Sequence, residues 1–147
     1  MKKFKNAFAL LLICHFSAYS QTSLKTFIGS WKTTRYDKRN YSTSEENWKF
    51  TDSRTGTWNR KLIISDGAII CNLRNPFVWQ ITTANMLKMT LGKTECKCDA
   101  SNKKFEEGMD AFIDNLKATY NGELFLHKIK ITTAKTISLD DFDLNRN

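Results

Sequence analysis

Phe77-Val78-Trp79-Gln80-Ile81 and, after Thr82 to Met86, Leu87-Lys88-Met89-Thr90-Leu91 place a large apolar side chain on every second residue. A strand turns successive side chains to opposite faces, so each run reads as a strand with one face toward a core. Thr83-Ala84-Asn85 is the turn that folds one onto the other. The same period extends upstream. Trp48 and Phe50 alternate with Asn47, Lys49 and Thr51; a polar turn at 52–56 leads into Thr57 to Ile64, where Trp58, Arg60 and Leu62 share a face. Ser65-Asp66-Gly67 carries an Asp-Gly hairpin signal, and Ala68 to Leu73 returns as the next strand.

Working outward, Phe27 to Tyr36 reads as a long first strand and 37–46 as a polar loop. Arg74-Asn75-Pro76 is expected to interrupt the ladder, because proline has no N–H to donate. Thr94 to Cys98 is a further strand. The period then changes: Phe105, Met109, Phe112, Ile113, Leu116 and Tyr120 recur at spacings of three and four, predicting an amphipathic helix over 103–120 that Asn121-Gly122 stops. Leu124 to Thr132 and Thr136 to Leu139 form a last pair of strands, and the charged tail from Asp140 reads as frayed. Short strands joined by tight turns, with one inserted helix, predict a mainly β fold: an antiparallel up-and-down barrel of about eight strands. A sandwich of the same strands is the alternative.

With 41% hydrophobic and 26% charged residues, the 147-residue chain falls among globular proteins rather than disordered ones, and no window is apolar enough for a spanning helix. Lys2, Lys3 and Lys5, the apolar run Ala7 to Cys14 and Ala18-Tyr19-Ser20 before Gln21 read as a secretory signal over 1–20. A single domain over 21–147 follows, secreted or periplasmic. Ile13 is not the small residue that lipid attachment at Cys14 requires, so the exported chain is expected to be unlipidated. Removing three lysines and no acid lowers the formal charge from +8 to +5. The remaining basic residues form no run, which argues against nucleic acid as a partner.

Cys71, Cys96 and Cys98 are an odd set for an oxidising compartment. One bridge from Cys71, or three buried thiols, is the structural reading. Cys96 and Cys98 on one strand face with His127 could instead pinch a soft metal, although two cysteines and one histidine make a poor zinc set. No metal or cofactor is expected.

Gly29-Ser30-Trp31, opening the first strand just after the leader, together with Trp48-x-Phe50, Trp79-x-Ile81 and Leu87-x-Met89-x-Leu91, resembles the lipocalin family, in particular the small lipocalin-like domains of secreted bacterial proteins. The resemblance implies that Trp31, set by Gly29, packs at the closed end of a barrel beneath an arginine from near the last strand. Arg146 alone among the arginines follows the strands as read, and it falls in the tail. The helix before the last strands departs from the family order, in which the helix follows the barrel.

The inward face would carry Trp31, Thr33 and Arg35, then Trp48, Phe50, Trp58, Arg60, Leu62, Phe77, Trp79, Ile81, Leu87, Met89 and Leu91. Parity puts Arg35 and Arg60 among aromatics, where a buried guanidinium needs an internal carboxylate or a ligand carboxylate as partner. The expected function is therefore binding without catalysis. Trp48, Phe50, Trp58, Arg60, Trp79 and Met89 would line a barrel holding a small hydrophobic or amphipathic ligand, with Arg60, Trp58, Trp79 and Met89 at a mouth suited to a fatty acid. The alternative is an envelope interaction or inhibitor module with a side-chain-filled barrel, using 37–46 as its contact surface. No nucleophile-elbow, zinc-protease, P-loop or dinucleotide motif is present, and Glu45-Glu46 and Glu106-Glu107 read as solvent-facing charges.

Overall fold

The structure, a computed structural model, describes residues 24–39, 41–101 and 103–147. The leader and Cys14 lie outside them. A short helix α1 (Leu24–Phe27) precedes strands β1 (Gly29–Asp37), β2 (Ser42–Phe50), β3 (Thr55–Ile64), β4 (Ile69–Ile81), β5 (Met86–Leu91) and β6 (Glu95–Ala100). Helices α2 (Lys103–Glu106) and α3 (Met109–Tyr120) follow, then β7 (Leu124–Thr132), β8 (Thr136–Leu139) and β9 (Phe142–Arg146). All pairings are antiparallel, and β1-β2-β3-β4-β5-β7-β8-β9 closes back on β1 as an eight-stranded barrel. The ninth strand, β6, lies outside the ring and pairs with the first half of β4. Closure rules out the sandwich and removes the ring's free edges.

The register stacks the interior in rows. At the closed end Gly29, Phe50, Gly56, Phe77 and Leu91 lie side by side, and one row higher come Trp31, Trp48, Trp58 and Asn75. Above them run Thr33, Glu46, Arg60, Leu73 and Cys96, and then Arg35, Ser44, Leu62, Cys71 and Cys98. The lower rows are solid. Phe27, Phe50, Phe77 and Trp79 pack with ring centroids 5.2 to 5.9 Å apart. Leu87, Met89, Ile137, Leu139 and Leu144 are fully buried beside them.

Five expectations need correction. Phe27 does not open the first strand but ends α1 and plugs the closed end, fully buried. The polar loop shrinks to a short connection, because β2 begins at Ser42 and its inward positions are polar. Pro76 does not end β4; it sits where the neighbour changes from β6, last paired at Arg74, to β5, first paired at Phe77, so its missing N–H is asked for by neither. The helix over 103–120 is broken at Gly108, whose φ of 81° leaves the helical region, and α3 buries none of its residues fully. The tail forms β9, with Leu144 fully buried between outward Asp143 and Asn145.

β9 also brings Arg146 over Trp31. The Arg146 guanidinium lies 4.6 Å from the Trp31 ring centroid and its Nη2 donates to the carbonyls of Thr26 and Ile28 at 3.1 and 3.2 Å. Trp31 is fully buried and its Nε1 donates to the Phe27 carbonyl at 2.7 Å. Gly29 has a φ of 131°, a conformation that disfavours any residue with a side chain. Trp31→Ala is therefore expected to cost about 3 to 5 kcal/mol, the range for emptying a buried aromatic site, read as a lower denaturant midpoint at unchanged slope.

Candidate functional site

The open end of the barrel is the end at which α3, the β1–β2 connection and the β8–β9 turn meet. Its floor is a buried carboxylate. Glu46 is 1% exposed, and both of its oxygens are filled by side-chain donors. Oε1 accepts from Arg35 Nε at 2.9 Å, from Arg35 Nη2 at 2.5 Å and from Ser44 Oγ at 2.8 Å. Oε2 accepts from the indole N–H groups of Trp48 and Trp58 at 3.1 and 3.0 Å. The indole rings stack 4.7 Å apart, so one carboxylate fixes both rings and both N–H groups. Reading Glu46 as a solvent-facing charge is thus wrong; alternation continues through Ser42, Ser44 and Glu46 with polar residues turned inward.

Arg60 lies beside Glu46 in the next strand and is 8% exposed. Its guanidinium lies 4.3 Å from the Trp58 centroid and 4.1 Å from that of Tyr120, the last residue of α3, the two rings standing edge to face with centroids 5.9 Å apart. Such a cation beside aromatic rings gains on the order of 1 to 2 kcal/mol when desolvated. Its hydrogen-bonding edge is left over. Arg60 Nε and Nη2 are buried with no hydrogen-bond partner. The other inward arginine, Arg35, is spent on Glu46 and lies 4.7 Å over the Phe142 ring.

Between this floor and α3 opens a cleft of about 890 Å³. Leu62, Ile64, Phe112, Leu116 and Tyr120 form its apolar wall, and Arg35, Lys38, Arg39 and Arg60 outnumber Asp37 among its charges. A second groove, of about 500 Å³, runs over outward residues such as Asn59, Lys61, Asn72 and Arg74 and also reaches Arg60, Leu73 and Cys96. It is lined mostly by side chains that strand parity puts on the outside of the barrel, whereas the mouth cleft meets the inward face.

Of the residues expected to bind, Arg60 lines this cleft, and Trp48 and Trp58 lie buried beneath it on Glu46. Phe50, Trp79 and Met89 do not line it. Phe50 and Trp79 pack on Phe27 in the closed end, Trp79 donates its Nε1 to the Thr55 carbonyl at 3.1 Å, and Met89 is fully buried beside Trp79. Parity gave their face correctly but not their depth. Leu62, Ile64, Phe112, Leu116 and Tyr120 complete the cleft, and the helical period of the last three was the available signal for them.

Cys71 and Cys98, paired in register, form the disulfide, and Cys96 stays a half-buried thiol with its Sγ 3.8 Å from that of Cys98. Burial raises the Cys96 thiol above its ordinary range, against the lowering pull of Lys117 and Arg60. His127 is not drawn to the cysteines. Its Nδ1 lies 2.8 Å from an Asp140 oxygen, a contact that, with the Lys128 backbone N–H, lowers the Asp140 carboxyl. Among the described residues no group of three or more histidine, cysteine or acidic side chains is placed to hold a metal ion. No described helix is long and apolar enough to cross a membrane.

No protein-family model matches the chain, and no curated protein matches it.

Replacing Glu46 by Gln keeps the shape but turns one acceptor into a donor that faces either two indole N–H groups or Arg35. The expected loss is about 2 to 4 kcal/mol, below the full cost of breaking a wholly buried pair because Arg35 is partly in water. Chemical denaturation of the variant checks this; an unmoved midpoint would mean Glu46 is solvated.

Proposed function

We propose that the protein is a lipocalin-like binding protein, secreted or periplasmic and without catalytic activity, that holds a small amphipathic molecule at the mouth of its barrel. The cleft between the barrel rim and α3 carries this reading. Its volume of about 890 Å³ lies in the range of small-molecule sites, ~300 to 1,000 Å³, and one wall is apolar while the charges are mainly positive. The filled lower rows favour the mouth over the deep interior, which revises the expectation of a ligand lined by Phe50, Trp79 and Met89. Membership of the lipocalin family draws support from the closed barrel and from Trp31 lying under Arg146.

A second reading, an interaction or inhibitor module that binds no small molecule, draws on the outer face. Val78 and Leu124, both strongly exposed, flank Thr90 in one row across β4, β5 and β7. Its expected surface at 37–46 is mostly strand, and Glu46 is inside.

Native mass spectrometry of protein exported by its host and purified without detergent separates the two. The binding reading expects an adduct of one small organic molecule that is lost on denaturation. Bare protein alone, before and after incubation with fatty acid, favours the module.

A further inference from the structure

We infer that the head group of the mouth ligand is a single carboxylate, received by the Nε and Nη2 edge of Arg60; this rests on the mouth being the binding site. Burying a cation strips its water, and the cost is recovered only where an anion and hydrogen-bond acceptors replace that water. Arg60 is nine-tenths buried, yet Nε and Nη2 meet no acceptor. The rings of Trp58 and Tyr120 stand edge to face around it, and neither supplies an acceptor oxygen to Nε or Nη2.

The nearest carboxylate is unavailable. Glu46 adjoins Arg60 in register, but five donor groups from Arg35, Ser44, Trp48 and Trp58 occupy both of its oxygens. On the outer face Glu45 pairs with Lys61 and Glu95 with Arg74. Among the described residues, none of the protein's own acids bonds this edge.

The chemistry of the edge sets the class of anion. Nε and Nη2 point two parallel N–H bonds in the spacing of two carboxylate oxygens, the geometry that makes arginine a bidentate receptor. A doubly charged phosphate monoester would call for a second free cation at the same depth, and Arg35 is committed to Glu46. Leu62, Ile64, Phe112 and Leu116 then lie along the cleft for an alkyl chain leading outward. The edge is closed to solvent in this form, so entry displaces Tyr120. That residue ends a helix with no fully buried residue, flanked by Gly108 and Gly122 at φ values of 81° and 75°.

The test is a tryptophan-fluorescence titration with dodecanoate, its methyl ester and dodecylamine, run on the full chain and on Arg60→Met and Arg60→Lys. Dodecanoate is expected to bind at least about tenfold more tightly than the ester, roughly one charge-assisted contact's worth, and more tightly than the amine. Arg60→Met should erase that preference and Arg60→Lys keep part of it. Equal affinity for acid and ester, or a preference that survives Arg60→Met, overturns the carboxylate assignment and leaves the mouth site standing. No response to any of the three overturns the mouth site as well. Should Arg60→Met fail to fold, judged by its circular dichroism melt, the acid-to-ester ratio on the unaltered chain and Arg60→Lys still decide.

Discussion

The upper half of the barrel is organised by the carboxylate of Glu46. A charge at that depth costs several kilocalories per mole unless its oxygens are filled, roughly the effective penalty for a buried ion. Arg35, Ser44, Trp48 and Trp58 fill them. The demand propagates: the two indole rings are locked in a stack, the Trp58 ring meets Arg60, and Tyr120 of α3 stands edge to face with Trp58 beside the same guanidinium. One buried acid thereby positions the cation, the helix end and the cleft between them.

The closed end works by a different principle. There the interior is aromatic and aliphatic, packed around Phe27, with polar atoms such as the Trp31 and Trp79 N–H groups satisfied by nearby backbone carbonyls. Arg146 ties the last strand to the backbone around α1 while covering Trp31. An eight-stranded ring is just wide enough for side chains to fill or for one small ligand; here side chains fill the lower rows, and binding space lies where the pattern turns polar and an element outside the ring stands away from the rim. α3 is that element. It packs on β6, which the Cys71–Cys98 bridge holds to β4. The disulfide and the extra strand together give the helix a base from which Tyr120 reaches Arg60.

Much of this was legible in the sequence, for reasons that particular residues make plain. Alternation at Trp48-x-Phe50, Trp58-x-Arg60-x-Leu62, Phe77-x-Trp79 and Leu87-x-Met89 is a direct print of the pleat, and it located the strands and their inward faces. Parity carries no information about height along the barrel axis, which depends on register and closure. Trp79 and Met89 were therefore given to the mouth although they lie in the closed end. The start of β2 and all of β9 were lost because Ser42, Ser44 and Glu46 point polar groups inward, and because Asp141 and Asp143 surround the apolar Phe142 and Leu144. Neither pattern reads as a strand until its partners are known. Losing the start of β2 also hid Glu46, and with it the reason that Arg35 is paired and Arg60 is not. The single helix failed at Gly108, a residue that a periodicity count passes over.

The central claim is that Glu46 is saturated by its own donors and leaves the Arg60 edge for an outside anion. Side-chain proton–nitrogen NMR tests it most directly, with the Nε–H resonance of Arg60 identified by its loss in Arg60→Lys and that of Arg35 as the internal standard. In the unliganded protein Arg35 should show a low-field, hydrogen-bonded Nε–H. Arg60 should lie at higher field, shielded by the rings of Trp58 and Tyr120, and move to low field when a carboxylate ligand is added. An Arg60 Nε–H already at the hydrogen-bonded position without ligand, and unmoved by it, would contradict the claim.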